Sequence, residues 1–280
     1  MRCLYCESEH VQKDGNHHGH QRYKCMECGK RFNSGKYENP FIEHFGIKTK
    51  NERLYITRNE YAIIDKKVHN KLPNFILEDY KINPEKRKKH YDDEECTIYS
   101  DSWCERHQKD CLVNFDYNMD YFNKLNWEKF DKSLNKLIKS SKKIIGVKNL
   151  KEYLNVAGVY IMVLDKYKQI YIGLSTNIAK RIQSHWSAKK EFDRLIFGKV
   201  ENSILSIDSF GALDTTRIFV YPTYDYYLVE EKLVSLMDPM YLLNRTAGGI
   251  GSAETYTDDK ASALLAVAAN RKKRNFDIIK

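Results

Sequence analysis

Cys3-x2-Cys6 and Cys25-x2-Cys28 are two paired cysteine turns separated by eighteen residues, and no other feature limits so sharply what this chain can fold into. A CxxC turn points two thiolates at one centre, so two such turns supply the four soft ligands of tetrahedral zinc. A segment this short lacks the apolar material for a core of its own, so a metal supplies folding energy there. Gly29 follows the second turn, where a left-handed residue is favoured, and Tyr23 and Phe32 flank it. Structural Zn²⁺ on Cys3, Cys6, Cys25 and Cys28 is expected. His17, His18 and His20 are read as loop residues, because four cysteines already fill the shell.

The remaining cysteines bear on compartment. No apolar run approaches the roughly 20 residues of a membrane helix, and Met1-Arg2-Cys3 lacks the apolar stretch of a secretory signal. A reducing, cytoplasmic setting is therefore expected, nucleoid-associated or in the host cell if the gene is phage-borne. There, seven cysteines read as metal ligands plus spares rather than disulfides. Cys96, Cys104, His107 and Cys111 are ligand types, but their spacing matches no zinc pattern, and they are read as unpaired residues. A net charge of +9 favours polyanion partners, nucleic acid before an anionic membrane.

Composition divides the chain at residues 1–35, 36–145, 146–251 and 252–280. The second segment is rich in Lys, Tyr, Asn and Asp and gives an ill-defined α/β region that could contact DNA. In it, 123–143 reads as one basic helix with Leu125, Phe130, Leu134 and Leu137 inward. The charge run at 85–90 reads as solvated surface, or as a phosphate contact.

From 146 the pattern sharpens. Runs 156–164 and 169–173 read as strands joined by a turn at 165–168. Ser175 or Thr176 would cap a helix over 177–190, with Ile178, Ile182 and Trp186 on one stripe and Arg181 and His185 on an adjacent face. A strand at 217–221 precedes a helix at 226–237 with Tyr226, Val229, Leu233 and Met237 as its stripe. Glu230 interrupts that stripe. A lone carboxylate there is costly unless it meets a cation or strong donors, whereas Glu231 is turned about 100° away. The fold class is α+β: a small antiparallel sheet flanked by helices, plus the ribbon. At 246–252 the glycines lack the spacing of a nucleotide fingerprint, so no small-molecule cofactor is expected. A last helix over 258–270 ends in the basic cluster 271–274.

Gly158-Val159-Tyr160 and Tyr171-Ile172-Gly173 stand ten residues apart, followed in order by Arg181, His185, Glu230, Pro239 and Asn244. This series, over 151–251, resembles the GIY-YIG nuclease family. The resemblance implies metal-dependent hydrolysis of DNA phosphodiester bonds. Glu230 would hold one Mg²⁺ or Mn²⁺, Arg181 would clamp the phosphate, and Tyr160 is favoured as general base. Tyr171 would share its network, His185 would orient or relay, and Asn244 completes the set; the choice between the tyrosines stays open. Leu174 stands where some members carry lysine. Residues 21–32 resemble the zinc ribbon that opens many insertion-element transposition proteins, with Arg22, Lys24, Lys30 and Arg31 interleaved. A ribbon joined to a nuclease suggests a mobile-element or phage homing enzyme on double-stranded DNA. The rival readings are a non-catalytic ribbon protein that binds nucleic acid, a repair or restriction nuclease, and an RNA substrate.

Overall fold

The computed structural model describes residues 2–3, 6, 8–17, 20–33, 41–50, 54–69, 72, 74–187, 192–196 and 198–245. The chain forms two compact units, one from residues 1–42 and 50–52, the other from 43–49 and 53–280.

In the first unit β1 (Val11–His17), β2 (His20–Cys25) and β3 (Arg31–Asn33) form an antiparallel sheet in that order. His17 ends β1 and His20 opens β2, so both belong to the hairpin strands rather than to a free loop; His18 lies outside the described residues. Gly29, at φ 70°, takes the left-handed conformation expected after the second cysteine turn. Among its described residues the apolar cluster is small: Cys3, Cys25 and Phe32, with Val11 and Tyr23 against them. Such a cluster falls well short of a self-sufficient core.

β4 (Phe41–His44) and β5 (Ile47–Lys50) form a hairpin that turns at Phe45 and Gly46, both at positive φ. The segment up to 145 is chiefly helical: α1 (Arg58–Tyr61), α2 (Asn74–Ile82), α3 (Pro84–Lys88), α4 (Asp101–Lys124) and α5 (Trp127–Lys139). The single helix expected over 123–143 is therefore broken. Leu125 leaves helical geometry at ψ 140° and turns inward, and the Asn126 side chain caps α5 by accepting from the Lys129 amide at 2.9 Å. Capping chemistry outweighed a continuous apolar pattern. The charge run lies on and just after α3, where Lys86 pairs with Asp79 and Lys88 with Glu85.

A four-stranded sheet contains β6 (Ile145–Gly146), β7 (Gly158–Leu164), β8 (Gln169–Ser175) and β9 (Arg217–Pro222), antiparallel in the order β6-β9-β7-β8. β7 is buried along its whole length. The turn before β8 is one turn of 3-10 helix closed by Lys168 at φ 52°, and its Tyr167 packs inward. α6 (Ile178–Ser187) and α7 (Tyr226–Leu236) both pack on β7 and β8. Phe130, Leu134 and Leu137 of α5 repeat at helical spacing and are fully buried, in one core with Ile161, Ile170 and Ile172 of the sheet.

α4 also buries two asparagines, Asn114 and Asn118, one helical turn apart. Asn114 donates to the carbonyls of Val200 (2.6 Å) and Ser203 (2.8 Å), and Asn118 donates to Ser203 and accepts from the Leu205 amide. A buried amide left without partners costs about 1–3 kcal/mol, so these bonds fix the course of the 200–205 segment against α4. No described helix is long and apolar enough to cross a membrane.

Candidate active site

The register of β7 and β8 sets the site. Tyr160 lies opposite Gly173 and Met162 opposite Tyr171, so Tyr160 and Tyr171 are diagonal neighbours on one face of the sheet, with ring centroids 6.1 Å apart. The Tyr160 ring lies across Gly173. A β-carbon there would stand 2.5 Å from the Tyr160 hydroxyl and 2.8 Å from the Tyr171 ring. Glycine is required at 173 for close approach, and at 158 because φ is 155° and a β-carbon would meet the Tyr221 carbonyl at 2.3 Å. The first tripeptide thus begins, and the second ends, with a glycine that the packing requires.

α6 begins at Ile178. Its cap is Asn177, whose side chain accepts from the Lys180 amide at 3.1 Å, while Ser175 accepts from the Asn177 amide at 2.9 Å. The cap therefore falls on Asn177 and not on Ser175 or Thr176. Ile178, Ile182 and Trp186 are buried as the stripe required. On the adjacent face His185, 2% exposed, brings Nε2 to 2.7 Å from the fully buried Tyr160 hydroxyl. Its Nδ1 meets a carboxylate oxygen of Asp208.

A cavity of about 150 Å³ is lined by Tyr171, Arg181, His185, Asp208, Glu230 and Asn244, among others. Glu230 is 7% exposed and reaches this wall from α7. Tyr160 stands behind the wall; Tyr171 is the tyrosine on it. Burial pushes the Tyr171 hydroxyl up to about 12, and the charge of Glu230 adds to this while Arg181 opposes it. Burial raises Tyr160 further above the usual range, again against the pull of Arg181.

Asn244 also lines the cavity, and its amide is engaged with the sheet. Oδ1 accepts from the Ile172 amide at 3.1 Å and Nδ2 donates to the Ile172 carbonyl at 2.7 Å. With the Leu243 amide on the Ile170 carbonyl at 2.8 Å, residues 242–244 run along β8 like a further strand. The next residue, Arg245, lines the cavity too and donates to the carbonyls of Ile204 (2.7 Å) and Leu195 (2.9 Å).

All six expected residues of the catalytic half thus converge: five on the cavity wall and Tyr160 directly behind it. Sequence reasoning missed Asp208 and Arg245. Asp208 sits in a short 3-10 turn, Ile207–Ser209, with no periodicity to mark it; its one local signal is Ser206, whose hydroxyl accepts from the Asp208 amide.

The cysteine cluster belongs to the first unit. The four sulfur atoms lie within 4.8 Å of one another, with Cys3 to Cys28 and Cys6 to Cys25 at 3.5 Å. A tetrahedron of 2.3 Å bonds has edges of about 3.8 Å, so the donor set and its spacing are compatible with zinc. The Cys28 amide donates to the Cys25 sulfur at 3.5 Å, and this bond is the chief cause holding that thiol down at about 6. Among the described residues no other group of three or more His, Cys, Asp or Glu brings its donor atoms within 4.8 Å of one another. Cys111 lies in the main core, where burial pushes it up to about 12. Cys96 and Cys104 pack with Tyr91 and Tyr99, and His107 stacks on Trp103 with Nε2 2.7 Å from the Phe192 carbonyl. The loop at 246–252, the helix at 258–270 and the basic cluster beyond it lie outside the described residues.

Comparison with curated proteins and with solved structures gives no match. A family model described as the GIY-YIG catalytic domain matches residues 156–210, a span that holds Tyr160, Tyr171, Arg181, His185 and Asp208 and ends before Glu230 and Asn244. Residues 156–210 therefore carry a GIY-YIG catalytic domain, which supports a nuclease of the GIY-YIG superfamily with nucleic acid as its substrate.

Proposed function

We propose that this protein is a metal-dependent endonuclease that hydrolyses phosphodiester bonds of double-stranded DNA. The observation that carries the reading is the convergence of Tyr171, Arg181, His185 and Glu230 on one cavity lined mainly by polar and charged side chains. Glu230 offers a hard oxygen donor beside room for water, which suits Mg²⁺ or Mn²⁺, ions that keep part of their hydration. Glu230 would hold such an ion, which would supply positive charge to the phosphate and to the departing oxygen. Arg181 clamps the phosphate through its planar donor fork.

The attacking water must lose a proton. Tyr171, on the wall, is the tyrosine that meets it, and the buried Tyr160 is the next group inward. This reverses the order that the family resemblance favours. Neutralising the charge of Glu230 removes one cause that raises Tyr171, while Arg181 pulls the same way. His185 takes the proton that leaves Tyr160. Asn244, Arg245 and α4 hold the wall in place.

The cysteine cluster holds structural zinc, and the first unit is a ribbon that contacts DNA through Arg22, Lys24, Lys30 and Arg31. The segment 36–145 combines support of the nuclease module at 146–251 with DNA contact. A ribbon joined to a compact nuclease supports a mobile-element or phage origin of the homing type, acting inside the cell. Comparing insertion sites between genomes that carry and lack the gene tests that origin, and absence of a shared cleavage target would sink it.

The activity is tested by plasmid cleavage at low salt with wild type and Glu230→Ala, with Mg²⁺, Mn²⁺ or chelator. Metal-dependent nicking that falls on the order of 10²–10³-fold or more in Glu230→Ala is expected. Intact DNA binding with no cleavage of plasmid or of a genomic library would overturn the reading in favour of a protein that only binds.

A further inference from the structure

We propose that Asp208 is a positioning residue of this site, one that fixes the tautomer of His185 so that Tyr160 can release its proton inward. The inference rests on the nuclease reading for its catalytic consequence, but the tautomer itself does not depend on it.

A neutral imidazole carries one N–H, and which nitrogen holds it depends on the partners. The Asp208 carboxylate only accepts, so its contact with Nδ1 places the proton there. Nε2 then presents a lone pair to the Tyr160 hydroxyl at 2.7 Å, and the hydroxyl must donate. With the other tautomer, Nε2–H would donate to the Tyr160 oxygen and close the route for its proton. Tyr160 is fully buried, so water does not take the place of its hydroxyl at Nε2.

The Asp208 turn is held from two sides. Asn114 and Asn118 of α4 fix Ser203 and Leu205, and Arg245 donates to Ile204. The charged and titratable groups around His185 are Tyr160, Tyr171, Arg181, Asp208, Glu230 and Arg245. In the forward step the Tyr160 O–H bond breaks and an Nε2–H bond forms. The electron pair stays on the phenolate oxygen, which takes up the water proton by way of Tyr171. The imidazolium lies against the Asp208 carboxylate. The leaving oxygen takes a proton from solvent, and reversal of the same transfers later returns the His185 proton to solvent, so the water is divided between phosphorus and leaving group with no net proton gained or lost.

Two readouts on the full zinc-loaded chain test this. The first is the pair of ¹⁵N imidazole shifts of His185 in histidine-labelled protein, identified by the signal lost in His185→Gln. Wild type is expected to show protonated Nδ1 and bare Nε2, and Asp208→Asn to move the proton wholly or partly to Nε2. The second is single-turnover plasmid cleavage. Asp208→Asn is expected to slow the chemical step on the order of 10²–10⁴-fold, by analogy with the loss seen when the carboxylate behind a catalytic histidine becomes an amide. DNA affinity and the Mg²⁺ concentration at half-maximal rate should stay within about threefold, and Asp208→Glu should recover part of the rate. An unchanged tautomer in Asp208→Asn would overturn the proposal. So would a raised Mg²⁺ requirement, which would make Asp208 a metal ligand instead. If wild type cleaves nothing but the tautomer responds to Asp208→Asn, the hydrolytic reading fails and the fixing of His185 by Asp208 stands.

Discussion

Replacing Gly173 by alanine adds one carbon where the sheet has no room for it. That carbon would stand 2.5 Å from the Tyr160 hydroxyl oxygen, 2.6 Å from Cζ of the same ring and 2.8 Å from the Tyr171 ring. Comfortable contact between such atoms is about 3.5–4.0 Å, so the Tyr160 ring must retreat by roughly 1 Å. The ring is fully buried, and overpacking of this kind costs about 1–3 kcal/mol. The hydroxyl would leave His185 Nε2, now at 2.7 Å, for a distance beyond bonding range, which costs about 0.5–1.5 kcal/mol more. The expected loss of stability is about 2–4 kcal/mol, and a misplacement of about 1 Å at a reacting group costs on the order of 10²-fold in rate. Gly146→Ala is the control. It sits in the same sheet, its nearest neighbours would be Phe219 ring atoms at 3.7 and 3.8 Å, and its φ is not positive. That change should be neutral, or stabilising by about 0.4–1 kcal/mol through the unfolded chain. Urea midpoints of the two variants, combined with single-turnover cleavage, read both effects. If Gly173→Ala loses less than about 0.5 kcal/mol and cleaves within twofold of wild type, the close-approach argument for the second tripeptide is wrong.

Asn244→Leu keeps the volume but strips two bonds from the Ile172 backbone; a loss of about 2–4 kcal/mol is expected, with faster hydrogen exchange in β8, and unchanged exchange would refute a strand-like role for 242–244. His44 and His107 are held below the usual histidine range, chiefly by burial. A depressed folded-state pKa means that the unfolded chain binds the proton first, so their contribution is present above the ordinary value near 6.5 and is lost as pH falls below it. The melting temperature should drop between pH 7 and pH 5, and less so in His107→Gln; an equal drop in that variant would remove His107 from the account. Metal analysis should give one zinc per chain, and chelation or Cys25→Ser should loosen strands β1 to β3 while leaving the α5 core protected from exchange; a full metal-free ribbon signal would contradict the four-cysteine site.

Residue spacing makes much of this protein legible in its sequence. The cysteine turns, the two tripeptides, the stripe of α6 and the buried place of Glu230 all depend on residues near one another in sequence, where the periods of helix and strand decide which side chains share a face. Local competition was harder to see: Asn126 caps α5 and ends a helix that the apolar pattern would have continued, and Asn177 rather than Ser175 caps α6. Both outcomes turn on one side chain reaching one amide, which composition does not resolve.

The sequence by itself determined the pieces: a four-thiolate knuckle, a hairpin that sets Tyr160 and Tyr171 diagonally, and helices bearing Arg181, His185 and Glu230. Only the tertiary structure decided which tyrosine reaches the wall, that Asp208 stands behind His185, that Asn244 binds the Ile172 backbone, and that α4 and α5 share a core with the catalytic sheet. These depend on residues far apart in the chain, from Asn114 to Ser203 and from Ile172 to Asn244. Such pairs leave no periodic trace, because packing and the need to satisfy every buried polar group, rather than helix or strand geometry, bring them together.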